Sequence, residues 1–268
     1  MNNVLSTYLE NALLSHLLRS TSYTSPNTLH FAMFTAAPDK SGGGTECTGG
    51  SYARAAVSNN TGNFPQCSAV IAAPVKSNGT AITFPKATAS WGTVTHWAVF
   101  DAATAGNMLA YGSLATQRVV AIGDTPKIAI GVFTISLNNS ASGGLSAYSK
   151  RKLLDLAFGK TAFTTPAAVY GGVGTALADE SITEWTDSGA ATRKALTFGA
   201  PADGITTTSA DAIFDADAQA NVTVTHFGVW DALTSGNLLA VGPLSGPVDV
   251  STGDSMAISS GGMTFNLQ

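Results

Sequence analysis

One peptide is written twice in this chain, 130 residues apart. Thr93–Leu114 reads TVTHWAVFDAATAGNMLAYGSL and Thr223–Leu244 reads TVTHFGVWDALTSGNLLAVGPL, identical at 14 of 22 positions. Three further pairs swap like for like: Trp97/Phe227, Phe100/Trp230 and Met108/Leu238. Agreement over this length makes the chain two copies of one unit, and any fold assigned to it has to be built twice.

The register extends in both directions. Downstream, Gly123-Asp124 matches Gly253-Asp254 and Ile128 matches Ile258, still at 130. Upstream the offset is 140, with Tyr8 on Tyr148 and Leu13-Leu14 on Leu153-Leu154; Arg54 meets Arg193 at 139. The first copy therefore carries about nine extra residues between Val57 and Thr93, a difference that suits a surface loop. The expected organisation is a first repeat at 1–137, a linker at 138–144 (NNSASGG, through Gly144) and a second repeat at 145–268. Such a linker makes the repeats neighbours without fixing one orientation.

Each repeat opens on helical periodicity. Leu5, Tyr8, Leu9, Ala12, Leu13 and Leu17 recur at three- and four-residue steps, and Leu145, Tyr148, Leu153, Leu156 and Ala157 keep the phase. Gly159 is placed to stop the second helix. Because Met1–Arg19 recurs inside the chain and lacks a basic start, it reads as part of the fold and not as a signal peptide. After the helix, strands are expected at Thr28–Thr35, Tyr52–Val57, Ala81–Phe84 and Lys127–Leu137. Their counterparts are Ala168–Thr175, Ala191–Phe198, Ala210–Phe214 and Met256–Leu267. The repeated peptide itself is a hairpin, Val94–Phe100 and Met108–Leu114, with Gly106-Asn107 and Gly236-Asn237 supplying the turn. Short strands between turn signals predict a mainly β protein. It consists of two tandem antiparallel β-sandwich or jelly-roll-like domains, each with an N-terminal α-helix.

Charge and motifs restrict function. Charged residues make up 11 % of the chain, against a typical ~25 %, and the net charge is −4. No basic footprint for nucleic acid or anionic lipid follows from that, and no run reaches the roughly 20 apolar residues of a membrane span. His96 and His226 precede Asp101 and Asp231 by five positions, which puts each pair on opposite faces of a strand; a histidine hydrogen-bonded across the sheet is expected. Gly253-Asp254-Ser255 resembles the nucleophile block of GDS-type esterases, but the first copy has Thr125 at the serine, so a Gly-Asp turn explains both. No nucleophile elbow, zinc motif, Walker loop or dinucleotide fingerprint occurs, and neither enzymatic activity nor a cofactor is expected. Cys47 and Cys67 lack further ligands at metal spacing; two free thiols in a protein made in a reducing cytosol are expected over a disulfide.

Specific contacts are expected where the copies differ. The loop Ser41–Tyr52 (SGGGTECTGGSY), with Gly43 and Cys47, is Gly-rich only in the first copy and reads as flexible. Trp91 and Trp185 have no aromatic counterpart and are the better candidates for exposed contacts, with packing in the core as the alternative.

The strings GGGTE…GGSYARAAV at Gly42–Val57 and FPKATASWGTVTHWAVFDAATAGNMLAYGSL at Phe84–Leu114 resemble the small tail-fibre-type structural proteins of tailed bacteriophages. The likeness spans the first copy, and in the second it rests on the helix, Thr164-Thr165-Pro166, Arg193, Thr223–Leu244 and the last strand. It implies a non-enzymatic virion protein of the tail, baseplate or neck, assembled in the host cytoplasm. Its implied partners are other virion proteins. A homo-oligomer is expected, and a trimer of two-repeat chains would present six similar domains to a six-fold ring. A capsid decoration or cement protein is one alternative. A receptor- or host-glycan-binding module is another, and a GDS-like hydrolase a distant third.

Overall fold

The computed structural model describes residues 4–68, 74–137, 144–178, 181–187, 190–191, 193–215 and 222–267. The first repeat contains β1 (Val4–Leu5), α1 (Thr7–Leu18), β2 (Thr28–Ala36), β3 (Thr45–Glu46), β4 (Ala55–Ser58), β5 (Val75–Ser77), β6 (Ile82–Thr83), β7 (Gly92–Phe100), β8 (Met108–Val120), β9 (Lys127–Ile128) and β10 (Thr134–Ser136). The second contains β11 (Gly144–Leu145), α2 (Ala147–Ala157), β12 (Val169–Ala178), β13 (Ser181–Glu184), β14 (Thr186–Asp187), β15 (Ala190–Ala191), β16 (Lys194–Leu196), β17 (Ile205–Thr207), β18 (Ala212–Asp215), β19 (Val222–Trp230), β20 (Leu238–Val250), β21 (Ser255–Ile258) and β22 (Thr264–Asn266).

Each repeat is organised around one six-stranded antiparallel sheet. The orders are β1-β8-β7-β2-β3 and β11-β20-β19-β12-β13, with β4 and β16 paired to β2 and β12. Alternation along the strands sorts the side chains. Leu29, Phe31, Trp97 and Val99 enter the main core, whereas Ala32, Phe34, Ala98 and Phe100 form a separate cluster on the opposite face. The layer covering the main face is no complete sheet. It consists of two-stranded ribbons, β5–β10 with β6–β9 and β17–β22 with β18–β21, so the sandwich is unequal. Phe133 joins its layers, with ring centroids 5.1 Å from those of Phe31 and Trp97. Truncating a buried ring of this kind costs about 3–5 kcal/mol.

Two expected strands change length. The return strand of the hairpin continues past Leu114 to Val120, because a bulge between the pairs Val94↔Arg118 and His96↔Ser113 absorbs the break in alternation. The last expected strand divides into β9 and β10 around a turn in which Val132 N–H bonds Ala129 O.

The helices sit between repeats. Ser6 and Ser146 cap them, accepting from the N–H of Leu9 and Ser149, and donate the same hydroxyls to the carbonyls of Met108 and Leu238. One hydroxyl thus starts the helix and ties it to the hairpin. The opposite side of α1 lies against β17 of the second repeat, and α2 lies against β5 of the first. This exchange widens the buried surface. Leu14, Leu18, Glu10 and His16 are buried in α1 although they lie off the expected apolar stripe, while Tyr8, on that stripe, is exposed. The linker at 138–143 lies outside the described residues; its expected last residue, Gly144, is already in β11, paired with Val241. Among the described residues no helix is long and apolar enough to cross a membrane.

Candidate interaction surface

The repeated hairpin turn is held by its own side chains. Asp101 accepts the N–H of Asn107 at 2.7 Å and its Nδ2 at 2.8 Å. Asp231 and Asn237 repeat the pair at 2.6 and 2.7 Å. Gly106 and Gly236 take φ of +74° and +77°, and a Cβ on either would strike the aspartate. The Gly-Asp turns behave alike. Asp124 and Asp254 each accept a backbone N–H three residues upstream, from Ala121 and Ser251. The aspartates that invite a catalytic reading serve in both copies to close turns.

An arginine clamps each turn onto the sheet. Arg54 grips Glu46 through Nε and Nη2 at 2.9 and 2.8 Å, donates Nη1 to the carbonyls of Ala102 and Ala105, and lies 3.5 Å over the Phe100 ring. Arg193 does the same with Glu184, Ala232 and Ser235, and lies 4.0 Å over Trp230. Each guanidinium makes four hydrogen bonds, two to a carboxylate and two to turn carbonyls, while stacking on an aromatic face. Sequence comparison aligned the arginines but missed the glutamates. Their signal is the short string T-E-x-T, at Thr45–Thr48 and Thr183–Thr186, offset by 138.

That string changes the reading of two predicted contact residues. Cys47 N–H bonds Met33 O at 2.9 Å, and Trp185 N–H bonds Val173 O at 2.8 Å, so Cys47 and Trp185 occupy equivalent positions. Trp185 is 7 % exposed and Trp91 4 %. Neither presents a free ring face, which corrects the expectation of exposed indoles. Trp91 donates Nε1 to Gly50 O at 3.0 Å and meets Tyr52 edge to face at 5.1 Å. The second repeat has Ala191 at the position of Tyr52. It regains aromatic volume by placing Trp185 where the first repeat has Cys47. A position-by-position comparison reads this exchange as two unmatched tryptophans.

Cys47 and Cys67 are free and buried. Burial pushes their thiols up to about 11 and about 12, which leaves them unreactive near neutral pH. Among the described residues no three His, Cys, Asp or Glu side chains group to hold a metal. His96 shares a hydrogen bond with its neighbour Thr95 at 2.8 Å, and it is Thr95 Oγ1 that donates across the sheet to Thr35 O at 3.2 Å. The expected cross-sheet role thus passes from the histidine to the threonine before it.

Of the four predicted residues, Gly43 alone is exposed. Its loop is tied down, contrary to the expected flexibility. Asp39 Oδ1 accepts the Ser41 N–H, the Ser41 hydroxyl and the Gly43 N–H at 2.8, 2.6 and 3.2 Å, and these bonds hold its carboxyl below the usual range. Lys40 O accepts the Thr7 N–H, and Lys40 Nζ reaches Glu10 at 2.7 Å. The loop therefore docks on the start of α1. Beside it, Val4, Ala37, Pro38, His96, Tyr111, Gly112 and Ser113 line an open cleft of about 550 Å³.

The two six-stranded sheets, their helices and their paired clamps coincide with a family match. The profile of the podophage GP4 fiber I protein gp80 family fits residues 4–136 and again residues 144–266. The chain belongs to this family. Comparison with curated proteins gives no match. As a gp80-type fibre protein in two tandem copies, the chain is a component of a phage fibre, and hence of the virion and its protein contacts. The gp80 unit is the whole repeat from β1 to the last strand, and both clamps fall within it.

Proposed function

We propose that the chain is a non-enzymatic structural element of the tail fibre, with 1–137 and 145–268 as its two units, and that it mediates assembly contacts with neighbouring virion proteins. The observation that carries this reading is the use made of the polar constellations the repeats share. Arg54/Glu46 and Asp101/Asn107, like their counterparts, hold backbone in place. A scaffold needs such residues in every copy, and an enzyme needs them free.

One set of assembly contacts lies on the first repeat, while the second exposes Ile213, Leu233 and Val248 of its own. Val119, Ile122, Ile130 and Val132 are exposed on the first, Ile122 to 72 %. The second repeat carries Asp249, Thr252, Ser260 and Gly262 at the matching positions. Exposed apolar side chains present in one copy and replaced by polar or small ones in the other accord with a partner for that end of the molecule. The ordered loop around Gly43 adds a second contact region. Free, buried cysteines accord with assembly in the host cytoplasm, and a trimer of such chains is the symmetric arrangement we favour.

Mass spectrometry of separated heads and tails, with immunogold labelling of whole virions, tests the reading. Signal on tails is expected. Signal confined to heads would replace the reading with that of a capsid cement protein.

A further inference from the structure

The contact between repeats is built twice, α1 against β17 and α2 against β5. Were the arms interchangeable, each repeat would accept its own kind as readily as the other. Three contacts on this surface are built differently in the two arms, and in each the differences match up only between unlike repeats.

The first is a buried ion pair. Lys76, on β5, is wholly buried and donates Nζ to Asp155 Oδ1 of α2 and to Pro65 O, both at 2.8 Å. The same carboxylate oxygen accepts the Cys67 N–H at 2.9 Å. The equivalent positions in the other arm hold Thr206 and Ser15, fixed by the shared bonds Thr161 N–H to Asp155 O and Thr21 N–H to Ser15 O. Two first repeats in contact would set Lys76 against Ser15, a buried ammonium with no counter-charge. Two second repeats would set Asp155 against Thr206. An ion left alone in such a place is strongly destabilising.

The second is a matched donor and acceptor. Gly204 N–H bonds Asn11 Oδ1 at 2.9 Å, and a Cβ at Gly204 would strike the Glu10 carboxylate. The counterpart of Gly204 is Pro74 and that of Asn11 is Arg151. A pair of first repeats would drive the Pro74 ring into Glu10 and leave Asn11 without a backbone donor. A pair of second repeats would set the Gly204 N–H against Arg151, which accepts no hydrogen bond.

The third lies at the end of α2. Asn59 accepts the Gly159 N–H at 2.6 Å and donates to Ala157 O at 3.0 Å. Its counterpart, Phe198, offers only its carbonyl, to Arg19 Nε at 3.2 Å.

From these juxtapositions we infer that the inter-repeat surface is a heterotypic lock: the first repeat takes the second as its partner, and each rejects its own kind. The lock has a use in a duplicated chain. Two self-pairing surfaces on one chain would string molecules into an open polymer, whereas unlike pairing closes within a single chain.

The test uses the whole protein with a protease site inserted between Leu137 and Gly144. Folded protein, unlabelled and ¹⁵N-labelled, is cleaved, mixed, unfolded, refolded and weighed by native mass spectrometry. Every complex is expected to contain one half of each kind, with the labels scrambled. A variant with Pro74→Gly and Lys76→Thr in the first half, and Arg151→Asn and Asp155→Ser in the second, makes the arms alike at two of the three contacts. It is expected to yield like–like pairs, tending to a 1:2:1 mixture. The charge-reversed pair Lys76→Asp with Asp155→Lys is expected to keep unlike pairing exclusive. Wild-type halves that stay apart or pair with their own kind overturn the inference, and so does a four-site variant that still pairs only unlike halves.

Discussion

The outer faces of the two main sheets solve one problem in opposite ways. In the first repeat Ala32, Phe34, Ala98, Phe100 and Met108 form a small apolar cluster, with Phe34 and Phe100 stacked at 6.4 Å. In the second, the positions of Ala32, Phe34 and Ala98 are Gly172, Gly174 and Gly228, and Phe100 is Trp230. A Cβ at Gly172 or Gly228 would meet the Trp230 ring. One indole thus lies over bare backbone where two phenyl rings and two methyl groups lie in the other copy. The same arginine clamp sits above both arrangements. The comparison teaches that the polar clamp is the invariant of this fold and the apolar filling beneath it is negotiable, provided volume is traded within the cluster.

The largest way to break the comparison is through the clamp. Arg193→Ala should lower unfolding free energy by about 3 kcal/mol or more, since it strands the Glu184 carboxylate and two turn carbonyls. Arg54→Ala should cost a similar amount, and lysine at either position should not restore it. Urea titration followed by tryptophan fluorescence measures both; a loss below 1 kcal/mol would demote the clamp. Next comes Gly228→Ala, expected to cost about 1–3 kcal/mol because its methyl meets the indole, whereas the reverse change Ala98→Gly should cost about 0.5–1 kcal/mol. Equal losses at the two sites would mean that Trp230 does not constrain its neighbour.

A subtler experiment transplants one solution into the other repeat. Phe100→Trp alone should destabilise, and Ala98→Gly beside it should recover part of the loss, with a coupling of about 0.5–3 kcal/mol in a double-mutant cycle. Additivity would show that the trade needs Phe34 as well.

The smallest effect concerns pH and a feature of α1 alone. His16 accepts the Tyr23 N–H at Nδ1, at 3.1 Å, and its ring meets Phe163 of the second repeat. Burial lowers its pKa. The unfolded chain then binds the proton more readily, so stability should fall as pH drops below about 6.5 and level off beneath the folded value. Glu10, raised by burial, acts in the opposite sense from about pH 4.3 upward, its neutral form being favoured in the fold. Thermal melts at several pH values on His16→Gln should show a shallower near-neutral slope, the remainder belonging to His30, whose pKa burial lowers in the same sense, and should keep the acidic one.

What the sequence made legible follows from which forces are local. The hairpin and its turns were readable because Asp101, Gly106 and Asn107 interact within seven residues. The helices were readable from their spacing, and their caps repeat as Ser6 and Ser146. The loop at Gly42–Gly44 was misread as flexible because glycine signals freedom, while Asp39, three residues earlier, removes it. Trp91 and Trp185 were misread as exposed because aromatic volume was exchanged among Cys47, Tyr52 and Trp91, which no single alignment column records. The inter-repeat contact was illegible, since a buried face has the same periodicity whatever covers it.

The placement of α1 also sets a timetable. Its second face is completed by β17, which begins at Ile205, nearly 190 residues after the helix ends at Leu18. At about 5–20 residues per second, a ribosome needs roughly 10–40 s to make that stretch. Throughout that interval Glu10 and Asn11, which meet Gly204 in the folded protein, belong to a nascent chain that has not yet made their partner. The gene's duplication therefore delays the maturation of its first copy until the second has been made.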